Sequence, residues 1–261
     1  MTRFLWVSAH PDRKSLTAAL RQAGIEHLRR RGHQIAESDL YAMGWNPVLS
    51  DADFTEPDAD VALSERQRIA TTDGTLAADI RAEQDKIRHA EVVVLQFPLW
   101  WYGPPAILKG WFDRVFTNGF AFWIRDPQTG RVLKYGDGGL AGRRVLIVLT
   151  AGDRPSALGP RGISGPVEDV LWPILHGTVH YTGMAPLRPH LIASADRMDS
   201  DCLAAETACL TDRLDAVLDE DPIPYRTLIG GEYDDESRLV DELAPGATGL
   251  GIHRRNPQPS R

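Results

Sequence analysis

Short apolar runs alternate with longer amphipathic segments along most of the chain. Residues 3–9 (RFLWVSA) form the first run; beyond the loop HPDRKS, residues 15–31 have helix-like spacing that ends at Gly32. This is a strand followed by a helix, with Ser15 or Thr17 available as the cap. Residues 34–40 (QIAESDL) alternate enough for a second strand, and residues 75–90 have helical spacing that leads into 91–97 (EVVVLQF), a buried strand. Residues 105–118 are expected as a helix with Trp111, Phe112 and Val115 on one side, and residues 142–150 (GRRVLIVLT) as a fourth strand. Helices at 167–180 and 196–218 follow, with a short strand at 187–192. The stretch 41–74 reads as polar and irregular. Residues 119–139, punctuated by Pro127, Gly130, Gly136, Gly138 and Gly139, suggest a long hairpin or excursion. There is no internal repeat. Residues 1–220 make one domain, and 221–261 lack periodicity, so they are expected as an irregular extension over a partner, fraying at its end.

Strand and helix in alternation imply an α/β fold with a mainly parallel sheet and helices on both faces, because parallel neighbours need a crossover. Ligands of such sheets sit outside the carboxyl ends of the strands. Three unusual loops fall there: SAHPDRKS after the first strand, FPLWWYGPP after the third and LTAGDRPSALGPRGISG after the fourth. Pro98 removes a backbone donor and ends its strand. The first loop opens a helix at Ser15-Leu16-Thr17, where hydroxyls and free amides suit a phosphate. No G-x-G-x-x-G follows the first strand. A hydroxyl-lined phosphate site favours the flavodoxin-like order over the Rossmann order.

With 261 residues, 43% of them hydrophobic, the chain can bury a full core as one large domain. Its formal charge of -7 gives no pull toward phosphate backbones or anionic membrane surfaces, so nucleic acid is not an expected partner. No apolar run approaches the roughly eighteen residues that would span a bilayer, and the amino-terminal run is too short for a secretion signal. The expected location is the cytoplasm. Cys202 and Cys209, two helical turns or about 10 Å apart, lie beyond disulfide reach and suit a reducing compartment. No metal is expected: His176 and His180 have the spacing of a zinc pair without a third ligand, and a packed helix is the better reading.

A set of motifs changes the picture. Ala9-His10, the run Glu37 to Met43 (ESDLYAM), Asn46-Pro47, Gln96-Phe97-Pro98-Leu99, the run Pro105 to Phe112 (PAILKGWF) and Leu171-Trp172-Pro173-Ile174 resemble the NAD(P)H:quinone oxidoreductases of the DT-diaphorase type, over residues 2–218. The resemblance implies a flavodoxin-like fold, a tightly held FAD in preference to FMN, and a homodimer with active sites at the subunit interface. It also implies two-electron reduction of a quinone, with NAD(P)H passing a hydride to flavin N5 and the acceptor then taking the same space, a ping-pong scheme. Carried onto this chain, Pro98, Leu99, Trp100 and Trp101 would run along the ring edge with their backbone, while Tyr102 and the indoles wall the cavity. His10, Ser15, Leu16 and Thr17 match positions at the ribityl chain and pyrophosphate, and Thr150, Ala151 and Gly152 the loop under the pyrimidine.

The chain departs from the family pattern further along. A tyrosine and a histidine that stabilise charge on the reduced flavin are absent: the histidine position is Ser164 and the tyrosine position falls near Ala157 or Leu158. Two substrate-pocket tyrosines correspond to Phe122 and Ile124, and an aromatic of the partner chain to Tyr181, which makes a more apolar pocket. Arg154 or Arg161 is expected to replace the lost pair electrostatically. Plainer readings stand beside these. Trp100, Trp101 and Tyr102 can simply cover a sheet end, Ser15 and Thr17 can be caps alone, Ser164 reads as a turn residue, and both arginines as solvated loop charges. Two other functions fit the same resemblance: azo or nitro reduction, and a regulatory flavoprotein subunit of a potassium efflux system.

Overall fold

The computed structural model describes residues 1–56 and 60–255. The expected fraying of the last residues lies outside the described part. The first strand, β1 (Arg3–Ser8), leads into α1 (Leu16–Arg30) and returns as β2 (Gln34–Asp39). Next come α2 (Leu63–Asp73), α3 (Ala78–His89), β3 (Val92–Pro98) and α4 (Ala106–Val115). After the 119–139 excursion, which pairs Arg125 with Val132 as a hairpin, the chain forms β4 (Arg144–Thr150). Two short helices, α5 (Val167–Val170) and α6 (Trp172–Ile174), run into a π-helical stretch Leu175–His180. Then follow β5 (Ala185–Pro186), β6 (His190–Ile192) and α7 (Ser200–Ala216).

All strand pairs are parallel, in the order β2-β1-β3-β4-β5, with β6 also on β4. This is the flavodoxin-like order. Side chains two apart along a strand share a face, and the core divides accordingly. Leu5, Val7, Val93, Leu95, Phe97, Val145, Ile147 and Leu149 pack under α3, α4 and the π-helical stretch. Phe4, Trp6, Val92, Val94, Leu146 and Val148 pack under α1 and α7. Gly24 of α1 is required there: a Cβ on it would stand 2.5 Å from the Trp6 ring.

Three segments differ from the sequence expectation. Residues 41–74 contain α2, whose inward residues are Gln67 and Ala70, so it carries no apolar stripe to read. The single helix expected at 167–180 is broken at Leu171, because Pro173 two residues on cannot donate to a continuous α-helical ladder. The edge strand expected at 187–192 begins at Ala185 and is interrupted around Pro189, tolerable only at an edge. The extension is tied down where Ile223 N–H donates to Pro186 O (2.8 Å) and Tyr225 bridges Arg254, with both Ile223 and Tyr225 buried in the core.

Candidate functional site

The loops after β1, β3 and β4 enclose a cavity of about 240 Å³ at the carboxyl edge of the sheet. His10, Ser15, Leu16 and Thr17 line one side, Pro98, Leu99 and Trp100 a second, and Thr150, Ala151 and Gly152 a third. Every expected cofactor residue except Trp101 and Tyr102 therefore meets on one cavity. Ala195 and Asp196 join them from the turn after β6. Sequence reasoning missed this pair, although a strand beside β4 must end on the same edge.

A buried polar chain sets the loops against each other. Trp6 Nε1 donates to Gln96 Oε1 (2.8 Å), Gln96 Nε2 donates to Thr17 O (2.8 Å), and the hydroxyls of Thr17 and Thr150 pair at 2.9 Å. Leaving one such buried group unmet costs about 1–3 kcal/mol, so the first turn of α1 is pinned over β3 and β4. Ser15 is the N-cap: its hydroxyl donates to Asp12 O (2.7 Å) and accepts from Ala18 N (3.2 Å). Both hydroxyls expected at a phosphate site are thus engaged within the chain. The amides of Leu16 and Thr17 find no acceptor among the described residues and remain open at the positive end of the helix dipole. His10 Nδ1 faces the backbone of Asp12, 3.0 Å from its N–H and 3.1 Å from its carbonyl oxygen.

The aromatic loop is a tight turn. Trp100 and Gly103 exchange both backbone hydrogen bonds at 3.0 Å, and the two central residues, Trp101 (φ 51°) and Tyr102 (φ 60°), are both left-handed. Asn and Gly normally fill such positions; a bulky residue there costs roughly 1–2 kcal/mol. Pro98 has no N–H, Leu99 N–H is given to Thr150 O (2.8 Å) and Trp100 N–H to Gly103 O. Within residues 98–102, the amides of Trp101 and Tyr102 are the two that find no acceptor among the described residues. The Trp101 indole is 99% exposed.

A neighbouring cavity of about 420 Å³ shares Gly152 and adds Asp153, Arg154, Ile163 and Arg197. Across its rim, Tyr102 Oη lies 3.1 Å from Ser164 Oγ, which donates to Asp153 Oδ2 at 3.4 Å. Arg154 lines this cavity, whereas the exposed Arg161 does not. A third cavity, about 550 Å³, lies on the other side of the β1 loop under Arg13, Lys14 and Arg21 and shares His10, Ser15 and Thr17 with the first. The residues expected at the substrate are elsewhere. Phe122 and Tyr181 line a cavity of about 450 Å³ with Phe112 and Phe116, and Ile124 packs on Gly139.

His176 stacks on Trp172 (ring centroids 4.2 Å) and lies 5.4 Å from His180. Burial, with further contributions from His180, His253 and Arg254, pushes its pKa down to about 3. It is a neutral packing group. Among the described residues no group of three or more His, Cys, Asp or Glu could hold a metal ion.

Comparison with known proteins fits this geometry. A family model described as flavodoxin-like fold matches residues 2–214. The human ribosyldihydronicotinamide dehydrogenase [quinone] is 35% identical over 225 residues, 85% of this chain and 94% of its own. The chain belongs to the flavodoxin-like NAD(P)H:quinone oxidoreductase family. Within that family, the ribosyldihydronicotinamide dehydrogenase-like protein traD of Penicillium crustosum is 37% identical over 258 residues, 97% of this chain and 96% of its own. A crystal structure from Klebsiella pneumoniae, assigned as a quinone reductase, superposes with a TM-score of 0.94 at 38% identity, covering 98% of this chain and 100% of that one. That family member thus extends the likeness through most of the C-terminal extension.

Proposed function

We propose that the chain is a flavin-dependent NAD(P)H:quinone oxidoreductase that transfers two electrons as a hydride. The observation that carries this reading is the pair of unengaged amides, Trp101 and Tyr102, held in left-handed backbone in the loop whose Trp100 shares a cavity with Leu16 and Thr17 of α1. Oriented backbone donors along a flat aromatic wall match the polar edge of a tricyclic ring, and free helix amides match a phosphate.

The donor set fits a flavin. Trp101 and Tyr102 would hold the ring edge, and Leu16, Thr17 and His10 the phosphate and sugar chain. Gly152 lets the Asp196 carboxylate pack against the loop: a Cβ there would stand 2.9 Å from it. FAD is favoured over FMN because the adjoining cavity beside Arg13 and Lys14 offers cations and space for a second phosphate and a nucleoside. When bound, flavin supplies the group that takes a hydride from reduced nicotinamide and delivers two electrons to an acceptor. The protein positions the two reactants in turn, a ping-pong scheme, and excludes water around them. Of the two arginines, Arg154 is better placed to offset developing negative charge, since it lines the cavity that begins at Gly152.

The separate aromatic cavity at Phe122 and Tyr181 supports a homodimer in which this face covers the loop site of a second copy, with the quinone between. Free, exposed Cys202 and Cys209 suit a cytoplasmic setting. Among the described residues no helix is long and apolar enough to cross a membrane.

The test is the visible spectrum of the purified protein, mass identification of the released flavin, bleaching by NADH or NADPH, and recolouring by menadione. The expected result is a yellow protein that releases FAD and completes the cycle. A colourless protein that takes up neither flavin on reconstitution rejects the reading. Bound flavin that no quinone reoxidises favours the regulatory-subunit role instead.

A further inference from the structure

A quinone that receives a hydride still needs a proton, because the transferred electron pair leaves negative charge on oxygen. The loop after β4 contains no histidine or tyrosine to supply one: its ionisable residues are Asp153, Arg154 and Arg161. Arginine offsets charge but does not release a proton. A phenol stands on the opposite loop. Tyr102 Oη reaches across to Ser164 Oγ at 3.1 Å, and Ser164 continues to Asp153, which is exposed to solvent.

We propose that Tyr102 donates the proton to the acceptor oxygen and that Ser164 and Asp153 resupply it. The proposal rests on the quinone-reductase reading above. Three features support it. Tyr102 is held in left-handed backbone, a strained state that recurs where a side chain must be aimed. Its ring is 55% exposed, so a flat acceptor can lie against it. A phenol and a hydroquinone are also matched acids, which keeps proton transfer between them close to balanced.

The step is complete in atoms and electrons. Reduced nicotinamide is the reductant; two electrons and one hydrogen reach the quinone as a hydride equivalent, and both carbonyl π bonds are lost as the ring becomes aromatic, leaving one O–H and one anionic oxygen. The Tyr102 O–H bond breaks as the O–H bond of the hydroquinone forms. The phenolate then takes the Ser164 proton, and Ser164 takes one delivered through Asp153 from water. Tyr102 is the catalytic residue here; Ser164 and Asp153 act through it as positioning residues.

The test compares the flavin-loaded wild type with Tyr102→Phe and Ser164→Ala, using menadione and ferricyanide as acceptors. Ferricyanide takes electrons without a proton. For Tyr102→Phe, menadione turnover is expected to fall 10- to 100-fold further than ferricyanide turnover, within the usual range for losing a general acid. Ser164→Ala should show a smaller loss of the same selectivity. Flavin affinity, read by fluorescence quenching, should stay within about twofold, as expected when only a side-chain hydroxyl is removed. In flavin-free protein, the ultraviolet resonance Raman signature of a hydrogen-bonded phenol should be lost in Tyr102→Phe and weakened in Ser164→Ala. Parallel loss with both acceptors, or a phenol signature that Ser164→Ala leaves unmoved, overturns the proposal while the reductase reading stands. A wild type silent with both acceptors overturns the two together.

Discussion

Trp101 adopts a φ of 51° while its indole is 99% exposed, so no packing offsets its backbone strain. Glycine has no such penalty. Trp101→Gly is therefore expected to raise the stability of flavin-free protein by about 0.5–1 kcal/mol, the strain relieved less the extra freedom of the unfolded chain. Urea midpoints check this. Flavin affinity should fall in the same variant, because the amide at 101 is no longer held in place. At this scale much of the site was legible: the aromatic loop, the helix start and Thr150 to Gly152 were all visible from residue type and position. Which amides are free was not, because that depends on Leu99 pairing with Thr150 and on the turn closing between Trp100 and Gly103. The Tyr102–Ser164 contact was hidden for the same reason, joining residues of two loops 62 positions apart.

Among the elements, α4 depends on a close approach that only glycine permits. A Cβ on Gly110 would stand 2.1 Å from Pro47 O, and backbone cannot yield as a flexible side chain can. Gly110→Ala is expected to destabilise the protein by at least about 2 kcal/mol despite its better helix propensity, as overpacking does, and a thermal melt would show the drop. The strands and the helices α1, α3, α4 and α7 were legible because their periodicity is strong. The helix α2 escaped because it presents glutamine and alanine inward, and the break at Leu171 because apolar spacing continues through it even though the hydrogen-bond ladder cannot. In both cases tertiary contacts, not local pattern, decide the outcome.

For the molecule as a whole, buried histidines set the response to acid. Burial lowers His176 to about 3 and His190 to about 4, in both cases from an ordinary 6.5. The unfolded chain therefore takes up protons first as the pH falls below 6.5. Stability is complete above that pH and is lost progressively toward pH 4 for His190 and pH 3 for His176. Urea unfolding at pH 5 should show a loss of up to about 4 kcal/mol relative to pH 7, roughly 2 from each of these two groups and less where solvent screens their half-buried rings; an unchanged midpoint would contradict the burial that both require. The α/β class and the strand order were legible from alternation and the missing glycine fingerprint. The cavity that gathers Phe122 and Tyr181 with Phe112 and Phe116 was not, since hydrophobic pattern says what is buried and not against which surface.

The sheet order also governs how the chain is made. Trp6 and Gln96 share a hydrogen bond across 90 positions, and β1 lies between β2 and β3. On the ribosome, β1, α1 and β2 emerge with one flank of the first strand still bare. Folding cannot close around Trp6 until β3 has cleared the exit tunnel. Nascent chains stalled before residue 98 should therefore be bound by chaperones that recognise exposed aromatic strands.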